Sequence, residues 1–98
     1  MAFTLTHDVF RESVNGIFRI SSDPHSLDLE LMECRRLASH PWGDESRDPF
    51  SLTFRGPLAP VLPQRIYSLQ NERMGELQIF LVPIGPDGTG MRYEAIFT

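Results

Sequence analysis

Few side chains in this chain could do chemistry, and they are scattered. Asp28 and Glu30 lie two apart in Leu27-Asp28-Leu29-Glu30-Leu31, which would put both carboxylates on one face of a strand as a catalytic pair. Cys34 is followed by Arg35 and Arg36, two cations of the kind that lower a thiol's pKa and make it a nucleophile. His7, His25 and His40 could serve as bases or metal ligands, and His40, Asp44, Glu45 and Asp48 could gather around a cation within one stretch. The run Gly85-Pro86-Asp87-Gly88-Thr89-Gly90 has the glycine content of a phosphate-binding loop.

Each of these has a plainer reading. Antiparallel strands commonly keep one face in water, so Asp28 and Glu30 read as the wet side of a half-buried strand. Neighbouring strand residues point to opposite faces, so Arg35 does not reach Cys34 by following it, and Cys34 reads as an inert, buried thiol. The three histidines fall in separate elements, with no helical histidine pair and no second cysteine. Residues 44–48 lack the alternating oxygen ligands and the glycine of a calcium loop. The glycine-rich run has no lysine and precedes a strand instead of a helix, so it reads as a hairpin loop with Pro86-Asp87 at the turn centre. No Gly-x-Ser-x-Gly elbow is present. The residues assign no catalytic group, metal ligand or cofactor, and the balance leans away from an enzyme.

The elements that would position any site are mostly strands. Gly75–Pro83 and Met91–Phe97 flank a dense run of turn residues and predict a hairpin. Residues 76–82 are apolar on both parities, which predicts the most central strand, ended by Pro83. Arg65–Gln70 predicts the strand before it, with Tyr67 and Leu69 in phase. Phe50, Leu52 and Phe54 alternate with Ser51, Thr53 and Arg55. Leu27, Leu29 and Leu31 alternate cleanly, but Glu33 and Arg35 would continue the leucine face. A bulge near Met32-Glu33 would restore the register and return Cys34 or Leu37 to the core. Ile17–Ile20 is a further β-prone run, ended by Ser21-Ser22-Asp23-Pro24. Before it, residues 7–14 predict a short helix, with Thr6 as N-cap, His7 and Asp8 in a solvated first turn, and Gly16 as the C′ glycine. The proline-rich segment 57–63 predicts an extended crossing in which Leu58, Val61 and Leu62 cover the edge of the core.

The stretch from Ala38 to Pro49 has no periodicity and two prolines, which predicts a long surface loop. It carries the only tryptophan, Trp42. If one region binds something, His40, Trp42 and Asp44 at this loop are the candidate binding residues; the alternative is that Trp42 folds back over one end of the core.

At 98 residues the chain has the length of a single domain over 1–98, with apolar content of 41% and charged content of 22%, near globular averages. Its net charge of −4 argues against a nucleic-acid partner, which normally requires a basic patch. All nine cations are arginine, read as the codon bias of a GC-rich bacterium. A single cysteine excludes an internal disulfide and fits a reducing cytoplasm. No signal-peptide pattern opens the chain, and the longest apolar run, Ile79–Val82, is far short of the ~20 residues that span a bilayer, so no membrane association is expected.

Several stretches together carry a resemblance. Phe50-Ser51-Leu52-Thr53-Phe54-Arg55-Gly56-Pro57, Leu62-Pro63-Gln64 with Tyr67, Gly75-Glu76-Leu77 with Phe80-Leu81-Val82-Pro83, and Tyr93-Glu94-Ala95-Ile96-Phe97 resemble a small bacterial domain of unknown function. The similarity runs from Phe3 and Leu5 to the C-terminus, and residues 38–48 match no shared pattern. The resemblance implies a stand-alone β domain and an association with phage-tail-like or surface-appendage gene products. It implies no catalytic residues.

The expected fold is all-β, a compact antiparallel barrel or two-layer sandwich of about six strands with a short N-terminal helix capping one end. Its core is expected to hold Phe18, Ile20, Leu29, Leu31, Phe50, Leu52, Phe54, Tyr67, Leu69, Leu77, Ile79, Leu81, Tyr93, Ala95 and Phe97. The expected function is a non-catalytic binding or assembly module that contacts a protein partner or a second copy through edge strands or the 38–49 loop. The alternative is a small-molecule-binding barrel or minor enzyme with His40, Trp42 and Asp44 at its mouth.

Overall fold

The computed structural model describes residues 7–22, 25–37 and 49–97. A five-residue helix, α1 (His7–Arg11), precedes six strands: β1 (Ile17–Ser22), β2 (His25–Arg36), β3 (Phe50–Gly56), β4 (Arg65–Asn71), β5 (Gly75–Pro86) and β6 (Met91–Phe97). All neighbours are antiparallel, and the strands close in the order β1-β2-β3-β6-β5-β4. The fold is therefore the barrel, not the sandwich.

Alternation along each strand decides which side faces in. Phe18 and Ile20, Leu29 and Leu31, Leu52 and Phe54, Tyr67 and Leu69, Leu77, Ile79 and Leu81, and Tyr93 and Ala95 all turn inward and are buried. In a barrel this small, side chains of that size fill the interior. The alternation breaks on β2 as expected. The register with β3 shifts between Leu31 and Glu33, and the bulge returns Cys34, partly buried, to the core while Leu37 stays outside that cluster. Of the residues expected in the core only Phe97 is less than fully buried, packed against it from one end.

Phe10 and Met74 join the core as well. Phe10, from α1, plugs one end of the barrel. Its ring centroid lies 5.5 Å from that of Phe97, 5.8 Å from Phe50 and 6.4 Å from Phe18. The helix is shorter than the 7–14 its pattern suggests. Ser13 N–H donates to Phe10 O and Val14 N–H to Arg11 O, three-residue spacings that tighten the chain into a turn. Asn15, not Gly16, takes the left-handed conformation (φ 74°), and its N–H donates to Leu31 O at 2.8 Å. His7 is buried, against the expectation of a solvated first turn, and packs edge-on to Phe50.

β5 outruns its predicted end. Pro83 continues the ladder opposite Tyr93, a register shift follows between Pro83 and Gly85, and the strand reaches Pro86. A bulge tolerates proline because the regular ladder is already interrupted there. The tight turn to β6 therefore centres on Gly88-Thr89, with Asp87 N–H donating to Gly90 O at 3.0 Å, rather than on Pro86-Asp87. In the 57–63 crossing, Leu62 alone packs on the core, its N–H donating to Tyr93 Oη at 2.9 Å, whereas Leu58 and Val61 are exposed.

The barrel is closed at its narrowest seam by three register pairs, Phe18 with Asn71, Arg19 with Gln70 and Ile20 with Leu69. Asn71 holds this seam. Its Nδ2 donates to Ile17 O (3.0 Å), while its Oδ1 accepts from Arg73 N–H (2.9 Å) and Met74 N–H (2.8 Å). One carboxamide thus binds β1 to the β4–β5 turn.

Candidate functional site

Closure changes where such a protein can make contacts. A closed ladder leaves no full-length edge strand to template another chain; partial edges remain where β4 pairs with β1 only at 69–71 and β5 with β6 only over 82–86, and the barrel's outer surface is the larger face. That surface divides into two parts.

Over β1–β3 it carries several ion pairs, with Ile17 exposed at the start of β1. Arg19 Nε donates to Asp28 Oδ1 at 2.8 Å, and Arg55 reaches both Glu30 and Asp87 at 3.5 Å. Asp28 and Glu30, the candidate catalytic pair, are each engaged by a guanidinium from a neighbouring strand. Asp87 is fixed further by Thr89 N–H and hydroxyl and by Gly90 N–H. The Thr89 hydrogen bonds, then Gly90 and the Arg55 charge, bring its carboxyl down to about 2.

At the α1 end, His7 Nδ1 sits 3.2 Å from Asp8 Oδ1, and Arg36 donates to the same oxygen at 3.0 Å. The His7 contact, followed by the Arg36 charge, holds the Asp8 carboxyl below its ordinary value. Cys34 lies beside this group, its Sγ donating to His7 O at 3.5 Å. Burial pushes the Cys34 thiol up despite the nearby Arg36, which keeps it protonated and a poor nucleophile. Among the described residues no three His, Cys, Asp or Glu side chains converge on a point that could hold a metal ion.

An open groove of about 800 Å³ runs outside the β1–β4 seam, lined in part by Ser13, Ile17, Gln70 and Glu72. Both cations in its wall are already engaged, Arg19 with Asp28 and Arg73 with Glu12. It therefore presents no free cation to an anionic ligand. Ser13 Oγ is buried there without a hydrogen-bond partner.

Over β4–β6 the outward residues are mixed, with Ser68 and Gln78 hydrogen-bonded to each other and large apolar side chains exposed beside them. Ile66 on β4 stands directly opposite Phe80 on β5. Carrying the register of Val82 with Glu94 two residues further places Ile96 of β6 level with Phe80. These side chains are 61%, 47% and 57% exposed, Ile66 and Phe80 as a cross-strand pair and Ile96 beyond the last β5–β6 pair. Single exposed hydrophobes are ordinary, but several on one side mark an interaction surface. Glu94 shares the outward parity of β6 with Ile96, whereas Arg65 shares the inward parity of β4 with Tyr67 and lies on the other face from Ile66. Arg65 stacks over the Tyr67 ring, 5.3 Å from its centroid.

His40, Trp42 and Asp44, the binding residues proposed from sequence, lie outside the described residues. The apolar row went unassigned although its signal was present, since Ile96 shares a strand parity with Arg92 and Glu94, and Phe80 lies opposite the core parity of β5. Reading β5 as central to a sheet hid it, because a barrel has no strand covered on both faces by its own layers.

Among the described residues no helix is long and apolar enough to cross a membrane. No curated protein and no solved structure gives a significant match to the chain. Residues 5–97 match one family over almost the whole length, and the chain belongs to it: the family described as Domain of unknown function (DUF6916).

Proposed function

We propose that this protein is a non-catalytic binding or assembly module and that it engages other protein through the outer face of β4–β6. Ile66, Phe80 and Ile96 carry this reading, because they expose large apolar side chains on one side of a barrel whose β1–β3 side holds the Arg19–Asp28 and Arg55–Glu30 pairs. The filled interior supports it too, since the barrel core is occupied by its own side chains and not by a ligand chamber. The small-molecule alternative rests on the 38–49 loop, whose candidate residues fall outside the described part. Association with phage-tail-like or surface structures, which the family resemblance implies, is the setting in which a closed, contact-bearing barrel would be used as a repeated part.

The test is photo-crosslinking in cells from a photoreactive phenylalanine analogue at position 80, with the same analogue at position 28 on the polar wall as control. Discrete protein adducts from position 80 and none from position 28 are expected. Equal labelling from both positions, or none from position 80, would refute the assignment of this face.

A further inference from the structure

We infer that residues 57–64 form a strap that leaves and re-covers one end of the barrel while the six strands stay paired. This goes beyond the proposed function and does not rest on it.

Strand order makes the strap necessary. β3 ends at Gly56 and β4 begins at Arg65, but β6 and β5 stand between them in the barrel, so the connection must cross the barrel end. That end lies opposite α1. On β6, Tyr93 beneath the strap is four residues from Phe97 beside Phe10, about 13 Å of strand. The two ends are closed in different ways. At the α1 end Phe10 is fully buried among the rings of Phe18, Phe50 and Phe97. At the other, seven of the eight residues from 57 to 64 are exposed, and Leu62 alone packs against the core.

Its polar tethers are equally few. Pro57, Pro60 and Pro63 have no N–H to donate. The segment carries no charged residue, and among the described residues it makes no backbone–backbone hydrogen bond to the barrel. Two tyrosine hydroxyls hold it instead. Leu62 N–H donates to Tyr93 Oη at 2.9 Å, and Tyr67 Oη donates to Pro63 O. Burial holds the Tyr67 phenol above its ordinary value, which keeps the donor protonated. Both tyrosines are buried and belong to the barrel wall, so the latch is fixed in the strands and the strap is the moving part. Two hydrogen bonds and one partly buried leucine are far less than global unfolding must break, which is the condition for a segment to open by itself. Its prolines restrict the freed segment, so little order is lost and regained in each cycle. Opening uncovers the seat of Leu62 together with the hydroxyls of Tyr67 and Tyr93.

Amide hydrogen exchange followed by NMR across a series of low urea concentrations tests the inference. Leu62 N–H should exchange through strap opening, protected about 10²–10³-fold and nearly independent of urea, because little surface is exposed. Leu52 N–H lies on β3, which is paired on both sides. It should be at least about tenfold better protected and follow the urea slope of global unfolding. Tyr67→Phe is the sharper variant. It removes the bond to Pro63 O and touches neither Leu62 N–H nor its acceptor, so it quickens Leu62 exchange, by about three- to tenfold, only if the strap opens as one piece. A Leu62 amide that shares the urea slope of Leu52, one with no protection, or one indifferent to Tyr67→Phe overturns the inference. Should Tyr67→Phe fail to fold, the two urea slopes of the native chain decide alone.

Discussion

The role of α1 is open to a direct test, because one residue connects it to the core. Phe10 is fully buried, with three phenylalanine rings from β1, β3 and β6 around it. Phe10→Ala would remove the barrel's plug. Emptying a buried phenylalanine site costs about 3–5 kcal/mol, depending on how far the surroundings collapse. Here the site lies at a barrel end, on a five-residue helix that can settle inward, so the lower part of that range, about 3 kcal/mol, is expected. Against a total of ~5–15 kcal/mol for a domain this is a large fraction. At ~4–8 °C per kcal/mol for a chain of this size, the melting temperature should fall by roughly 12–24 °C. Phe10→Leu, which refills most of the volume, should cost about 1–2 kcal/mol. Urea denaturation monitored by circular dichroism measures both free-energy losses and a thermal scan the melting temperature, and an unchanged urea slope would show that the same surface is exposed on unfolding. A loss below about 1 kcal/mol for Phe10→Ala would refute the argument, since the helix would then be decorating the barrel and not closing it.

Two further predictions concern the turns. Asn71→Ala deletes the carboxamide that binds Ile17 O, Arg73 N–H and Met74 N–H, leaving groups at a buried seam unpaired, and should cost about 2–4 kcal/mol. Amide exchange at Met74 should quicken with it, and an unaltered rate would mean that the turn holds without the side chain. For Asp87, the folded carboxyl lies at about 2 against an ordinary 3.8. A depressed folded value means that its stabilising contribution is fully present above the ordinary value and is lost as pH falls through about 2. Thr89→Ala removes the hydroxyl and should move the Asp87 midpoint, followed by NMR titration, back toward 3.8; no movement would assign the shift to the backbone N–H groups and Arg55.

What the sequence made legible follows from period. A strand whose wet face is charged declares its inner face, so Leu29, Leu31, Leu52, Phe54, Tyr93 and Ala95 could be placed in the core from alternation alone. Even the β2 bulge was readable, because Glu33 and Arg35 on the leucine parity would otherwise put charges inside. Phe10 was harder, because a residue in a five-residue helix carries too little periodicity to reveal that it enters a barrel end. His7 was misjudged for the same reason, its burial coming from Phe50, which lies 43 positions away. Pro83 ended the predicted strand by a local rule, and the register shift beside it overrode that rule. Closure itself left no local mark. The seam is made by three pairs between β1 and β4, held through one asparagine, so nothing short of the tertiary fold distinguishes this barrel from a sandwich.

Closure also explains why the outer face, and not the core, carries the functional question. Folding needs only the inward parity of each strand, and the outward parity is free to be polar, as it is where Arg19 meets Asp28 and Arg55 meets Glu30. Ile66, Phe80 and Ile96 are therefore not demanded by the barrel. Fully burying such a side chain is worth ~1.5–3 kcal/mol, and each is about half exposed, so covering the three recovers roughly 3 kcal/mol. That is less than the ~4–15 kcal/mol that association costs in lost freedom. A partner that covers this face must therefore bring apolar surface of its own, whose burial adds to the sum, or make further contacts around the row.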